Sequence, residues 1–335
     1  MQSNAAIYLL SSRKKLLKKC LFNLYKNWNE KYDYPVHVHF FKKTYSNDFI
    51  KDIQNSISKN ISFHKINYQL PKKLLEKDLY YNKTELRYVR ESFSKDRVGY
   101  LHMCRFATNI TSYGKIGCLN KSLKNYEMLM KIDDDSGFIS KINFDLFDKL
   151  KNYPYVTGYT WNTFNYTHRE TRIGLWDFYK YYLRKYKYIP KSIDLRNALK
   201  FDDESIMHRI KWSCGNLNLF NIKKFTQSPW HEYLNELNIF SGDYKYRWGD
   251  IETITLFAYT HFDIPIYDLN LREKKLYINK IESPYSIMAP SPGHINNLHN
   301  NILKDYYHNI KFLLKKISIF LIKNIKGKNF KNYRD

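Results

Sequence analysis

Cysteine is scarce in this chain: Cys20, Cys104, Cys118 and Cys214 form no CxxC pair and share no metal-ligand spacing with histidine. A structural zinc site and a disulfide scaffold are therefore excluded as organising features. Long apolar runs are missing as well. The N-terminal run Ala5 to Leu10 is far short of the roughly 20 residues of a spanning helix, and shorter than a signal peptide's core. The expectation is a cytoplasmic or peripheral membrane protein with no span or export signal at that end. Nor does a repeat or a Gly/Ser/Pro-rich linker divide the chain, which has 11 glycines and 9 prolines in 335 residues. One domain over 4–295, followed by a tail over 300–335, is the economical division.

Acidic residues are the minority charge. Against 32 Asp and Glu stand 56 Lys and Arg, for a formal net charge of +24. Such an excess suits a nucleic acid, an anionic membrane surface or a phosphate-bearing substrate, although A/T-rich codon usage also favours Lys, Asn, Ile and Tyr. The interleaving of basic and aromatic residues that marks single-strand binding modules does not occur, so nucleic acid is not the expected partner. Hydrophobic residues at 43% and aromatics at 17% suffice for a sizeable core and exclude disorder.

What is present alternates in character. Ala5 to Leu10 reads as a buried strand, with Ser11-Ser12 as the cap of a helix carrying Leu16, Leu17, Cys20, Leu21 and Leu24 at helical spacing. Val36 to Phe40 reads as a second strand, 41–96 as polar surface helices and loops, and Tyr100 to Phe106 as a helix. Glu127 to Ile132 is a further apolar strand, and Tyr155 to Tyr159 another. Strand–helix alternation implies a layered α/β domain with a mostly parallel sheet. In the tail, Ile310, Leu313, Leu314, Ile317, Phe320, Leu321 and Ile325 recur at helical spacing beside Lys311, Lys315, Lys316 and Lys323. That pattern fits a basic amphipathic helix, either laid on an anionic membrane or packed on the domain.

The most informative cluster is Asp133-Asp134-Asp135, where the apolar strand stops. Ligands of open α/β sheets gather at the carboxyl ends of strands, and alternate residues of an extended segment point the same way. Asp133 and Asp135 can therefore share one divalent cation, which would neutralise a diphosphate leaving group. Acidic turns after strands are also commonly solvated caps, so the neighbours must decide.

Those neighbours carry a resemblance. Tyr100-Leu101-His102-Met103-Cys104-Arg105-Phe106 resembles the Tyr-x-x-Met-Cys-Arg-Phe segment of the fungal α-1,2-mannosyltransferases, glycosyltransferase family 15. Lys131-Ile132-Asp133 and Asp135 stand for that family's Arg-Val-Glu and following Asp, and 216–250, with Ser228-Pro229-Trp230-His231-Glu232-Tyr233 and Tyr246-Arg247-Trp248-Gly249-Asp250, is similar to its next block. Motifs in the same order at matching spacing are more specific than any one of them.

The resemblance implies a GT-A type nucleotide-diphosphosugar transferase fold, with a mixed, mostly parallel central sheet flanked by helices. It implies a GDP-mannose donor, Mn2+, a glycan or glycoprotein acceptor, retention of the α configuration and, by family precedent, the Golgi membrane. Asp133 and Asp135 would hold the metal; Tyr100, Arg105, Leu10 and Ser11 would meet the nucleotide-sugar; Tyr100, Asn218 and Asp250 would serve catalysis. Tyr100 as a core aromatic, Arg105 as a structural ion pair and Asp250 as a helix N-cap are the plainer readings. Two departures stand out. Asn218 replaces a family Glu that is a candidate nucleophile, which leaves open a weakly active or inactive carbohydrate-binding homologue. The late family Gly-Tyr-x-His reads Asp268-Leu269-Asn270-Leu271-Arg272 here, so His294 is the candidate replacement as third metal ligand.

Overall fold

The computed structural model describes residues 3–41, 45–66, 74–75, 79, 97–109, 121–138, 141–158, 160–162, 173–213, 215–269 and 288–289. The tail over 300–335 and His294 lie outside the described residues, as does the boundary drawn between the two segments.

Seven strands build the central sheet: β1 (Ala5–Leu10), β2 (Val36–Phe41), β3 (Ile61–Ile66), β4 (Met128–Ile132), β6 (Tyr155–Thr157), β9 (Leu217–Asn221) and β10 (Tyr267–Asp268). Four short strands form two separate two-stranded ladders: β5 (Gly137–Phe138) with β11 (Met288–Ala289), and β7 (Thr160–Asn162) with β8 (Lys211–Ser213). The order is β10-β6-β9-β4-β1-β2-β3. β1 pairs in parallel with β2 on one side and β4 on the other, while β9 runs antiparallel to both of its neighbours, β4 and β6. This is the mixed, mostly parallel sheet flanked by helices expected of a GT-A fold.

Period-two alternation sorts the strands' side chains into two cores. Ala5, Ile7 and Leu9 join Val36, Val38, Met128, Met130, Ile132, Leu217 and Leu219 on the face covered by the Lys14–Leu24 and Leu146–Leu150 helices. Ala6, Tyr8, Leu129, Tyr155 and Phe220 lie on the other face, against the Leu175–Tyr186, Trp230–Phe240 and Asp250–His261 helices. Strands buried on both faces are expected to be apolar along their length; β1 is, and β4 is apart from Lys131.

Several expectations are revised. The Lys14–Leu24 helix is preceded by Arg13 with no side-chain cap, because the Ser11 hydroxyl is directed to Asp134 instead. The 41–96 stretch contributes β3, a full sheet member whose mixed sequence Ile-Ser-Phe-His-Lys-Ile lacks an apolar run. The strand from Tyr155 ends at Thr157. The N-cap before the last long helix is Gly249, and Asp250 is the first helical residue.

Candidate active site

β1 sends its chain to β2 on one side and is bordered by β4 on the other, so the crevice beyond the carboxyl ends of β1 and β4 is the topological switch point of the sheet. The acidic turn is placed there by β4, and Leu10, Ser11 and Arg13 are placed there by β1. Thus Leu10, Ser11, Asp133 and Asp135 are brought together.

Alternation divides the three carboxylates. Asp134 is 3% exposed and turns inward, where Ser11 Oγ donates to its Oδ2 at 2.5 Å and the Arg13 guanidinium pairs with it. Tyr45 Oη in turn donates to Ser11 Oγ at 2.8 Å. Asp134 is thus the anchor that locks the turn to β1. Asp133 and Asp135 keep more freedom, with side chains 34% and 14% exposed. Asp135 takes Arg13 Nη2 at 3.0 Å, and Asp133 takes Lys131 Nζ at 3.0 Å. Although a third of its side chain is open, the protein mass around Asp133 pushes its carboxyl above the ordinary range, with Lys131 opposing and Asp135 adding to the rise.

Lys131 links this turn to a second carboxylate. Its Nζ donates to Gly215 O at 2.8 Å and lies 3.6 Å from Asp250 Oδ2. Burial alone would lower its pKa, but Asp133 and then Asp250 outweigh burial and hold the ammonium above its usual range. Asp250 is itself buried at 4% exposure, in the first turn of the Asp250–His261 helix, where the aligned backbone N–H groups favour an anion. Asp133, Lys131 and Asp250 therefore form one contiguous group.

Asn218 faces Lys131 across the β4–β9 ladder and Thr157 across the β6–β9 ladder. It is 1% exposed, and Tyr155 Oη lies 3.1 Å from its Oδ1 and 2.7 Å from Ser213 Oγ. Asn218 thus belongs to the floor of the site as a hydrogen-bonded, buried amide. Tyr100 lies on the Arg97–Asn109 helix. On the same helix Arg105 pairs through both terminal nitrogens with Asp243 and Asn238, and its guanidinium lies 5.0 Å from the centroid of the Tyr244 ring. That is the ion-pair geometry. Asp268, the first residue of the segment that stands where the family has Gly-Tyr-x-His, accepts from Thr160 N at 2.7 Å and Thr160 Oγ1 at 2.6 Å.

The donor set at the turn, two partly open carboxylates at alternate positions, is chemically suited to a hard divalent cation. Two buried hydroxyls nearby, Tyr8 Oη beside Lys131 in the β1–β4 ladder and Ser136 Oγ just past Asp135, have no hydrogen-bond partner among the described residues. Polar atoms in that condition are normally satisfied by water or a ligand. Among the described residues no group of three or more His, Cys, Asp or Glu converges to complete a metal shell, so further ligands must come from water, a diphosphate or segments beyond them. Lys131 and Tyr8 are the members that sequence reading did not assign to the site. The signal for Lys131 was available, since a lysine two residues before Asp133 on one strand must share its face.

The family model described as glycolipid 2-alpha-mannosyltransferase matches residues 1–263. The chain belongs to that family. A Saccharomyces cerevisiae glycolipid 2-alpha-mannosyltransferase is 22% identical over 255 residues, covering 73% of this chain and 54% of the relative. The probable mannosyltransferase KTR3 of the same yeast is 25% identical over 168 residues, covering 50% of this chain and 39% of the relative. The chain thus spans about half or less of the length of these curated family members. Core-mannan synthase A from Aspergillus fumigatus, solved in a Mn/GDP form, superposes with a TM-score of 0.65 at 17% identity over 80% of this chain and 73% of that one. Ktr4p from S. cerevisiae in complex with GDP gives 0.65 at 17% identity, covering 80% and 70%. Both share the fold of this family member.

Proposed function

We propose that this chain is a retaining α-mannosyltransferase that moves mannose from GDP-mannose to a hydroxyl of a glycan or glycoprotein acceptor, with Mn2+ at the diphosphate. The observation that carries the reading is the placement of Asp133 and Asp135, partly open, at the β1–β4 switch point of a chain belonging to a mannosyltransferase family. A yeast family member solved with GDP and an Aspergillus one solved with Mn and GDP support the ligand classes.

In this reading Asp133 and Asp135 hold the cation, which when bound supplies Lewis-acid stabilisation of the diphosphate. Arg13 and Lys131, each paired with one of those carboxylates, keep the turn in place and prevent the acidic groups from repelling one another. Asp250, beside Lys131, offers a carboxylate to orient the acceptor hydroxyls. Its Oδ2 lies 3.6 Å from the Lys131 ammonium. The neutral amide of Asn218 cannot form a glycosyl-enzyme, and its Oδ1 is occupied by Tyr155. We therefore assign front-face attack within an ion pair, the leaving phosphate taking the acceptor's proton, with Asn218 and Tyr155 as a buried wall beneath. Tyr100 is assigned to the nucleotide-sugar on the strength of the resemblance alone.

A donor screen with Mn2+ tests this, comparing hydrolysis and transfer from GDP-mannose, GDP-fucose, UDP-glucose and UDP-galactose. GDP-mannose is expected to lead, and turnover that persists in EDTA would sink the mechanism. Burial of Asn218 in place of a carboxylate favours one competing reading, a carbohydrate-binding homologue without turnover. Tight GDP-mannose binding with no product from any acceptor would select it.

A further inference from the structure

Lys131 is a poor choice for its strand on packing grounds alone. β4 is buried along its length, and an apolar side chain at this position would avoid desolvating an ammonium. The ammonium instead draws together three separate segments: the acidic turn through Asp133 at 3.0 Å, the chain before β9 through Gly215 O at 2.8 Å, and the start of the Asp250–His261 helix through Asp250 at 3.6 Å. Its ladder neighbours on either side are Tyr8, whose hydroxyl is buried without a hydrogen-bond partner among the described residues, and Asn218. The position is fixed by the sheet on both sides, so the ammonium has little latitude to drift between its two carboxylates.

We propose that Lys131 is a positioning residue that couples the cation-binding carboxylate to the acceptor-side carboxylate. It sets the orientation of Asp133 from one side and of Asp250 from the other, so the two ends of the reaction are placed against a common point. The proposal rests on the reading of Asp133 as a cation ligand given above. It has an electrostatic corollary, because an ammonium and a divalent cation repel. Lys131 therefore weakens cation binding while improving geometry, and its removal separates affinity from turnover in opposite directions.

The test uses the full chain, with Mn2+ affinity read from the electron paramagnetic resonance signal of free Mn2+, and kcat and KM read for GDP-mannose. Lys131→Gln, which leaves Asp133 and Asp250 without their shared counter-charge, is expected to bind Mn2+ more tightly, on the order of 10-fold. Its kcat should fall on the order of 10- to 100-fold with KM for GDP-mannose little changed, as for the loss of other groups that orient metal ligands. Lys131→Arg, which keeps the charge, should restore Mn2+ affinity to the wild-type value and most of kcat. A loss of Mn2+ affinity in step with kcat, or an unchanged kcat, would overturn the coupling and leave Lys131 a packing residue. Should Lys131→Gln fail to fold, Asp250→Asn reads the same link from the other end: Lys131 then pairs with Asp133 alone, so Mn2+ affinity should drop, and an unaltered affinity would refute the proposal. If the wild-type chain transfers no mannose, the functional reading falls, while the Mn2+ affinities of the variants still decide the coupling.

Discussion

Arg13 and Asp135 meet at 3.0 Å across the gap between the ends of β1 and β4, while the same guanidinium pairs with the buried Asp134. One arginine from the start of the chain thus closes two of the three acidic positions. Arg13→Ala leaves Asp134 with Ser11 as its remaining described donor. Because Arg13 is half exposed, the loss should be modest, about 1–2 kcal/mol of stability by urea denaturation. Mn2+ affinity should rise in the same variant, since Asp135 no longer has a competing cation, and a fall would argue that Arg13 itself supports the ion's site.

Asp133→Asn retains the size of the side chain and its link to Lys131 but lowers the charge available to a cation. Turnover with GDP-mannose should drop on the order of 100-fold or more, with Mn2+ affinity falling in parallel. Melting temperature should change little, because Asp133 is partly open and Asp134, not Asp133, anchors the turn. A variant with normal kcat would remove the cation from Asp133.

Arg105 behaves differently in this scheme. Its pairing with Asp243 and Asn238 and its stacking on Tyr244 tie the Arg97–Asn109 helix to the segment after Trp230–Phe240, with both ion-pair partners largely buried. Arg105→Ala should therefore lower the unfolding free energy by about 3 kcal/mol, read as a lower denaturant midpoint at constant m-value, the usual result of breaking a buried pair by removing one partner. Arg105→Lys should recover little, because a lysine cannot reproduce the two-pronged contact. GDP affinity measured well below the melting temperature should hold; a selective loss would restore the phosphate-binding role implied by the resemblance.

The strands legible in the sequence are those buried on both faces, where Ala5 to Leu10 is a continuous apolar run and Met128 to Ile132 is one broken only by Lys131. β3 and β9 were not legible, because Ser62, His64 and Asn218 interrupt them with polar groups that the sheet satisfies laterally: Ser62 and His64 with His37, and Asn218 with Tyr155. The same cause hid the wider site. Asp133 and Asp135 announce themselves at a strand end, whereas Tyr8 becomes a neighbour of Lys131 only through strand pairing, and Asp250, named through the resemblance, reaches it only through helix docking. The inversion of Ser11 from helix cap to Asp134 partner has a similar origin, since a long-range carboxylate offers the hydroxyl a stronger acceptor than a local turn does.

A histidine group on β2 and β3 gives a pH prediction. Burial, then His64, lowers His37 to about 4; burial likewise takes His39 well below its normal range and lowers His64. Among the described residues no acid is found against them: His37 meets His64, Ser62 and Tyr126, and His39 packs on Tyr8 and Phe106. In the folded protein these rings stay neutral, while in the unfolded chain they take up protons near pH 6.5. The unfolded state then binds more protons between about 6.5 and 4, so stability is full above that window and declines as pH falls through it. Urea midpoints from pH 7.5 to 4.5 should show the decline, and His39→Phe should flatten it; equal slopes would exclude the group as its source.

The insertion of the antiparallel strand β9 beside β4 has a kinetic consequence. Lys131 and Gly215 are 84 residues apart, and Ser11 and Asp134 are 123 apart. Loop closures of that length must precede any local reward, which slows assembly and makes it all-or-none. Until β9 pairs with β4, Lys131 therefore lacks its contact with Gly215, and the group that joins Asp133 to Asp250 is incomplete.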